Sequence, residues 1–183
     1  LQILDHLKIP KNENEWSIQH GKVTEIAYQF RELQTDSVKL SEIISYDKAE
    51  QLANKLFNKD EKTSLITNKI PISWTSVDGH TTHLTTADNW GNVVALTQTI
   101  GPTMGSKVAS KGLGFLYAVT LGGYLGNYKP GDRANSHISP TLIEKNGKIL
   151  LALGAAGGSR IIPAVTQVTD RYFRQKQSLE NAL

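Results

Sequence analysis

Asp78-Gly79-His80-Thr81-Thr82-His83-Leu84-Thr85 sets a hydroxyl residue at the head of a strand, directly after a turn-prone Asp-Gly pair. Thr81 to Ala87 reads as that strand. Asp88-Asn89-Trp90-Gly91-Asn92 is turn chemistry, and Val93 to Ile100 returns as a second strand. If the chain is cut before Thr81, the new α-amine lies beside the threonine's own hydroxyl. Nucleophile and base then occupy one residue, a known way to activate a weak hydroxyl. The plain alternative is an ordinary strand threonine.

Further along, Lys148-Ile149-Leu150-Leu151-Ala152-Leu153 is a short apolar run of the buried-strand kind. It ends at Gly154-Ala155-Ala156-Gly157-Gly158-Ser159-Arg160. Ile161, Val165, Val168 and Tyr172 then recur at helical spacing, and Pro163 fits only the first turn of that helix. Gly157 and Gly158 therefore fall where a strand hands over to a helix N-terminus. Backbone N–H groups exposed there can hold an anion or a developing oxyanion, and glycine also permits a tight turn with positive φ.

Several separated segments, in order, carry a resemblance. They are Thr81-Thr82-His83 with the Asp88…Gly91-Asn92 turn, Thr97-Gln98-Thr99, Lys129-Pro130-Gly131-Asp132-Arg133, Ser139-Pro140-Thr141 with Lys145-Asn146-Gly147-Lys148, and Gly157-Gly158-Ser159-Arg160-Ile161. Together they make Thr81 to about Thr169 resemble the γ-glutamyltranspeptidases, which are N-terminal nucleophile hydrolases. Residues 40 to 80 are a looser match to the end of the family's large subunit, and the first 40 match weakly.

The resemblance implies an α+β fold, an αββα four-layer sandwich of two antiparallel sheets flanked by helices. It implies a precursor cut between His80 and Thr81, dividing the chain into a large-subunit-like 1–80 and a small-subunit-like 81–183 that together build one structural domain of a longer protein. Thr81 would attack a γ-glutamyl amide and form an acyl-enzyme, resolved by water, an amino acid or a peptide. Thr99 matches a threonine that supports the nucleophile, though it also reads as a plain strand residue. Gly157 and Gly158 match the oxyanion donors, and Ser136 the first of a serine pair that binds the glutamyl α-carboxylate. The implied location is periplasmic or extracellular, with the remainder of the precursor as partner. Neither a cofactor nor a metal is needed.

The departures lie in the substrate pocket. His137 stands where the family has the second serine, either as a polar loop residue or as a replacement in the acyl pocket. Gly101 stands at an asparagine, Thr120 at a glutamine, and Gly123 at the aspartate that grips the substrate's α-ammonium. Loss of that carboxylate removes a charge-assisted hydrogen bond of about 1.5–3 kcal/mol. The expected acyl group therefore lacks a free α-amine: an internal unit of a γ-linked polymer, or another amide. A non-catalytic ligand-binding homologue on the same scaffold is the remaining reading.

Composition narrows the classes. The 183 residues hold 39% apolar and 20% charged side chains, ordinary for one globular domain with a real core. No apolar run approaches the roughly 18 residues of a membrane span. The net charge of +3 comes from scattered Lys and Arg, without the basic stripe and interleaved aromatics of a nucleic-acid binder. The absence of cysteine removes disulfides, thiol catalysis and zinc–thiolate sites. His80 and His83 lack a third partner for a metal. Arg160 at a helix start reads as structural.

Before Thr81 the pattern is helical, then irregular. Val23, Ile26, Ala27, Phe30 and Leu33 share one helical face. Ala49, Leu52, Ala53, Leu56 and Phe57 mark a second helix over Asp47 to Lys59, with Ser45 as its cap. Asn58 to Lys62 is a polar exit, and residues 63 to 80 read as an exposed loop suited to processing. Leu1 is not a translation start, and the two chain ends are expected to be internal to a longer protein. Gly101 to Lys107 and Gly122 to Gly126 fail the spacing of phosphate and dinucleotide loops and read as loops beside a pocket.

Overall fold

The computed structural model describes residues 1–30, 37–57, 79–120, 128–132 and 136–183. They divide into two compact units, one from Leu1–Ser73 with Thr166–Leu183 and the other from Trp74–Val165.

The first unit is helical. α1 is Gln2–Asp5, α2 Glu13–Gln29, α3 Ser37–Ile43 and α4 Tyr46–Phe57. Asn12 caps α2 by accepting the Glu15 N–H at 2.9 Å, and Glu15 reaches back to the Lys11 N–H at 2.9 Å, a reciprocal capping arrangement. Ser45 caps α4 through the Lys48 N–H at 3.2 Å, as its sequence position predicts. The expected apolar faces then meet. Val23 and Ile26 of α2 pack with Ala49, Leu52, Ala53 and Leu56 of α4 and with Ile3 and Leu4 of α1, while Leu7 and Phe30 close the edge. Leu33, the polar exit and residues 63–78 lie outside the described residues.

This unit also holds the C-terminal end of α5, Ile161–Thr169, then a π-helical turn, Asp170–Arg174, and α6, Leu179–Ala182. The π turn departs from the uniform helix predicted through Tyr172. It turns Asp170 inward, where it is 3% exposed. Trp16 Nε1 donates to Asp170 Oδ2 at 2.9 Å, Gln175 Nε2 donates at 2.8 Å, His20 Nε2 lies 3.1 Å away, and Arg174 Nε pairs with Oδ1. Arg174 also donates to the Leu7 carbonyl and to Gln19, so one buried ion pair ties together the α1–α2 connection, α2 and the π turn. The Arg171 guanidinium stacks 4.0 Å over the Trp16 ring.

The second unit contains two antiparallel hairpins. β1, Gly79–Ala87, pairs with β2, Val93–Pro102; β3, Thr141–Lys145, pairs with β4, Lys148–Leu153. Helices with antiparallel sheets give the α+β class. The predicted first hairpin forms, but β1 starts two residues before Thr81 and β2 runs two residues past Ile100. The end of the region read as exposed loop is thus strand at Gly79 and His80. Asp88 organises the turn, accepting N–H groups from Trp90 and Asn92 at 2.9 Å each. The Asn92 carboxamide, helped by neighbouring backbone N–H groups, holds the Asp88 carboxyl below the usual carboxylate value. β3 and β4 turn at Asn146 and Gly147, with φ of 55° and 76°, the left-handed pair that suits a tight two-residue hairpin.

Candidate active site

Strand register brings the two predicted threonines together. Thr81 pairs directly with Thr99, His83 with Thr97, and Thr85 with Ala95. Directly paired residues share a sheet face, so Thr81, His83 and Thr85 lie beside Thr99, Thr97 and Ala95. That face is the more protected one: Thr97 is buried and Thr81, His83, Ala95 and Thr99 are half-buried, with Thr85 exposed toward the turn, while Thr82, Leu84, Thr86, Val94, Leu96 and Gln98 on the reverse are exposed. The Thr99 Oγ1 accepts the Gly101 N–H at 3.1 Å, which fixes the oxygen and leaves its O–H to donate elsewhere.

The register breaks at the expected cleavage point. Gly79 pairs with Pro102 and Thr81 with Thr99, so β1 advances two residues while β2 advances three. Ile100 and Gly101 thus form a bulge opposite His80, and Gly101 adopts φ 84° to make it. A Cβ on Gly101 would stand 2.2 Å from the Val119 carbonyl oxygen. Val119 is itself held there by donating its N–H to the Ile100 carbonyl at 2.9 Å. Gly101 is therefore a backbone requirement of this chain. Gly101→Asn, the substitution that the sequence resemblance suggests, is expected to lower the thermal midpoint and to yield no gain in activity. An Asn variant of unchanged midpoint would show that the bulge does not need glycine.

Thr120 follows Val119 directly and is half-buried at the same end of β2. Beyond it the expected aspartate position, Gly123, lies outside the described residues. Between Gly101 and Thr120 the chain folds back on itself. Gly105 donates to Pro102 at 2.8 Å, Ser106 to Tyr117 at 2.9 Å and Tyr117 to Val108 at 3.0 Å. The glycine pattern of this segment is thus a compact loop beside β2.

Gly157 and Gly158 stand between β4 and α5, in a short 3-10 turn over Gly158–Arg160 that the sequence pattern does not show. Their φ values are 138° and 58°, and no atom lies closer than 3.8 Å to a Cβ built at either. Neither position is crowded; the φ of Gly157 favours glycine strongly, whereas Gly158 shares the left-handed value that Lys107 and Asn146 adopt with side chains. Pro163 is the third residue of α5, inside its first turn. Ser136 and His137 occupy a different segment, the approach to β3. Ser136 is exposed with its Oγ accepting the Ile138 N–H at 3.2 Å, and His137 is half-buried.

The ring of His83 is committed to hydroxyls. Nδ1 lies 2.8 Å from Thr97 Oγ1 and Nε2 3.0 Å from Thr85 Oγ1. Among the described residues, no cluster of three or more His, Cys, Asp or Glu forms a metal cage. No helix among them is long and apolar enough to cross a membrane.

The model of the γ-glutamyltranspeptidase family matches residues 1–183. The chain belongs to the γ-glutamyltranspeptidase family. The match runs through the first 40 residues too, which the motifs alone tie to the family only weakly. An acylase ACY 1 proenzyme of Pseudomonas sp. strain V22 is 33% identical over 135 residues, 68% of this chain and 24% of its own. The glutathione hydrolase proenzyme of Bacillus subtilis strain 168 is 36% identical over 113 residues, 58% of this chain and 19% of its own. A protein of Arabidopsis thaliana, named as an inactive glutathione hydrolase, is 30% identical over 152 residues, 73% of this chain and 78% of its own. This chain thus spans about a quarter or less of the acylase and the glutathione hydrolase. Those two γ-glutamyltranspeptidase relatives are named as proenzymes, that is, as precursors.

Proposed function

We propose that this chain carries the processing site and nucleophile of a self-cleaving γ-glutamyltranspeptidase-type acyltransferase or hydrolase. The observation that carries it is the direct pairing of Thr81 with Thr99 on the protected face of the hairpin. Water adds across the His80–Thr81 peptide bond, and Thr81 becomes an N-terminus. Its amine then takes the proton from its hydroxyl, directly or through a water, as the oxygen attacks an amide carbonyl. The Thr99 hydroxyl donates to the nucleophile. Backbone N–H groups at Gly157 and Gly158 hold the oxyanion, and Ser136 and His137 orient the acyl group from the approach to β3. The amine component leaves with the proton, and water or an amine acceptor releases the acyl group.

In this reading the two hairpins are parts of a four-layer sandwich completed by the rest of an exported precursor, with 1–80 and 81–183 on either side of the cut. Intact mass of the whole gene product is expected to show two fragments, the second beginning at Thr81. The Thr81→Ala protein is expected to remain one chain. A wild-type protein that stays uncut would favour a non-catalytic descendant, a possibility to which the relative named as inactive lends weight.

A second reading concerns acyl specificity. Gly101 offers no side chain, and the Val119 carbonyl closes the space a side chain there would need. With Thr120 and Gly123 at the other two changed positions, and a relative named as an acylase, this favours acyl groups without a free α-amine. Glutaryl-p-nitroanilide, which is γ-glutamyl-p-nitroanilide without that amine, is expected to be hydrolysed with the higher kcat/KM. The reverse order would restore ordinary γ-glutamyl recognition.

A further inference from the structure

The three glycines of Gly154…Gly157-Gly158 differ in conformation and in surroundings. Gly157 and Gly158 have positive φ and open space around them. Gly154 is not among the positive-φ glycines, but its surroundings are full: a Cβ there would stand 2.2 Å from His83 Nδ1, 2.4 Å from Cε1 and 2.8 Å from Cγ. Separations below 3.0 Å from a rigid ring cannot be relieved by a small torsion. The His83 imidazole therefore lies close against the backbone at the exit of β4, three residues before Gly157.

The same ring is fixed from the β1–β2 side. Nδ1 bonds to the buried Thr97 hydroxyl at 2.8 Å and Nε2 to the Thr85 hydroxyl at 3.0 Å, so neither nitrogen can turn without breaking a hydrogen bond. A neutral imidazole donates from one nitrogen and accepts at the other, and a threonine hydroxyl satisfies either role. His83 lies two residues beyond Thr81 on the same face of β1, about 7 Å along the strand, too far to exchange a proton with it directly.

We infer that His83 is a positioning residue: its ring locks the strand that carries Thr81 to the turn that carries Gly157 and Gly158. This rests on the nucleophile and oxyanion roles proposed above. Two elements far apart in sequence must be held to a fraction of an ångström for attack and oxyanion binding to coincide. A ring bonded to one and packed closely against the backbone of the other does that. It also gives Gly154 a purpose, since any side chain there would push the ring off Thr97.

The test is a double-mutant cycle in the whole protein, with His83→Ala, Gly154→Ala and the double variant. Self-cleavage between His80 and Thr81 is followed by intact mass, steady-state hydrolysis of glutaryl- and γ-glutamyl-p-nitroanilide by absorbance, and unfolding by thermal midpoint. Gly154→Ala alone is expected to slow cleavage tenfold or more and to lower kcat with KM nearly unchanged. In the His83→Ala background the same methyl is expected to cost nothing further, because the ring it strikes is gone. His83→Ala alone is expected to lower kcat at least tenfold with a small change in midpoint. Equal effects of Gly154→Ala in both backgrounds, or wild-type kcat in His83→Ala, would overturn the lock. An uncut, inactive wild-type protein would instead overturn the functional reading and the positioning role with it, while the midpoints would still show whether ring and backbone touch.

Discussion

Asp170→Asn is expected to cost on the order of 3–5 kcal/mol of folding stability, the usual penalty for removing one partner of a buried ion pair. The side chain of Asp170 is 1% exposed and that of Arg174 13%, so neither regains much hydration when the other is lost. The substitution keeps size and shape, which isolates the charge. Urea denaturation of the variant beside wild type reads the loss. Replacing both partners by apolar residues, Asp170→Leu with Arg174→Met, is expected to recover part of it, because an uncompensated guanidinium is worse than no ion pair. A loss under about 1 kcal/mol for Asp170→Asn would mean that the cluster is open to water.

The pH dependence has a definite sign. Burial by itself would raise the Asp170 pKa, but the contacts from His20, Arg174, Gln175 and Trp16 outweigh it and hold the carboxyl well below the usual range. A depressed folded-state value adds stability above the unfolded value, about 3.9, and loses it as pH falls through the folded one. The gap between wild type and Asp170→Asn is therefore expected to be full well above about pH 4 and to narrow in stronger acid. A gap that widened on acidification would contradict the assignment.

None of this cluster shows in the sequence, and the reason is physical. Trp16 and Asp170 are separated by 154 positions, and no periodic pattern links them. Asp170 sits where the 3.6-residue pattern of α5 gives way to a π turn, a one-residue slip that a hydrophobic spacing does not record. The first hairpin, by contrast, was legible because its signals are local: Asp88 with Gly91 and Asn92 for the turn, and threonines on either side. Counting back from that turn already sets Thr81 near Thr99. The bulge was not legible. A lone glycine before a proline gives no register, and only the pairing of Gly79 with Pro102 exposes the extra residue. Asn12 with Glu15, and Asn146 with Gly147, carried capping and hairpin patterns open to reading. His83 is set aside as a metal ligand for want of a third partner, yet its place between Thr97 and Thr85 stays hidden, because sequence shows spacing and not the hydroxyls that strand pairing brings to the ring.

On the oxyanion role proposed for this turn, Gly157→Ala is expected to lower kcat by a factor of up to about 10²–10³, the cost of misplacing one oxyanion donor. Gly157 has φ 138° and ψ 25°, a conformation that residues with a Cβ rarely adopt. The nearest atom to an added methyl is Arg160 Cβ at 3.8 Å, so the variant meets no clash and responds by rotating its own backbone. That rotation re-aims the N–H groups of the turn, and the Arg160 N–H that bonds the Gly157 carbonyl at 3.1 Å carries the shift toward α5. In the proposed role those N–H groups act on the transition state, so KM is expected to change little. Gly112→Ala supplies the control. It has φ 77°, open space and a place in the 106–117 loop, so it adds a methyl at a positive-φ glycine away from the strand-to-helix turn. The measurement is kcat and KM of the cleaved protein on glutaryl- and γ-glutamyl-p-nitroanilide. Equal, mild losses in the two variants would reduce Gly157 to a turn residue and send the search for the oxyanion donors elsewhere. A large loss confined to Gly157→Ala would tie the strand-to-helix turn to the chemistry through its backbone alone.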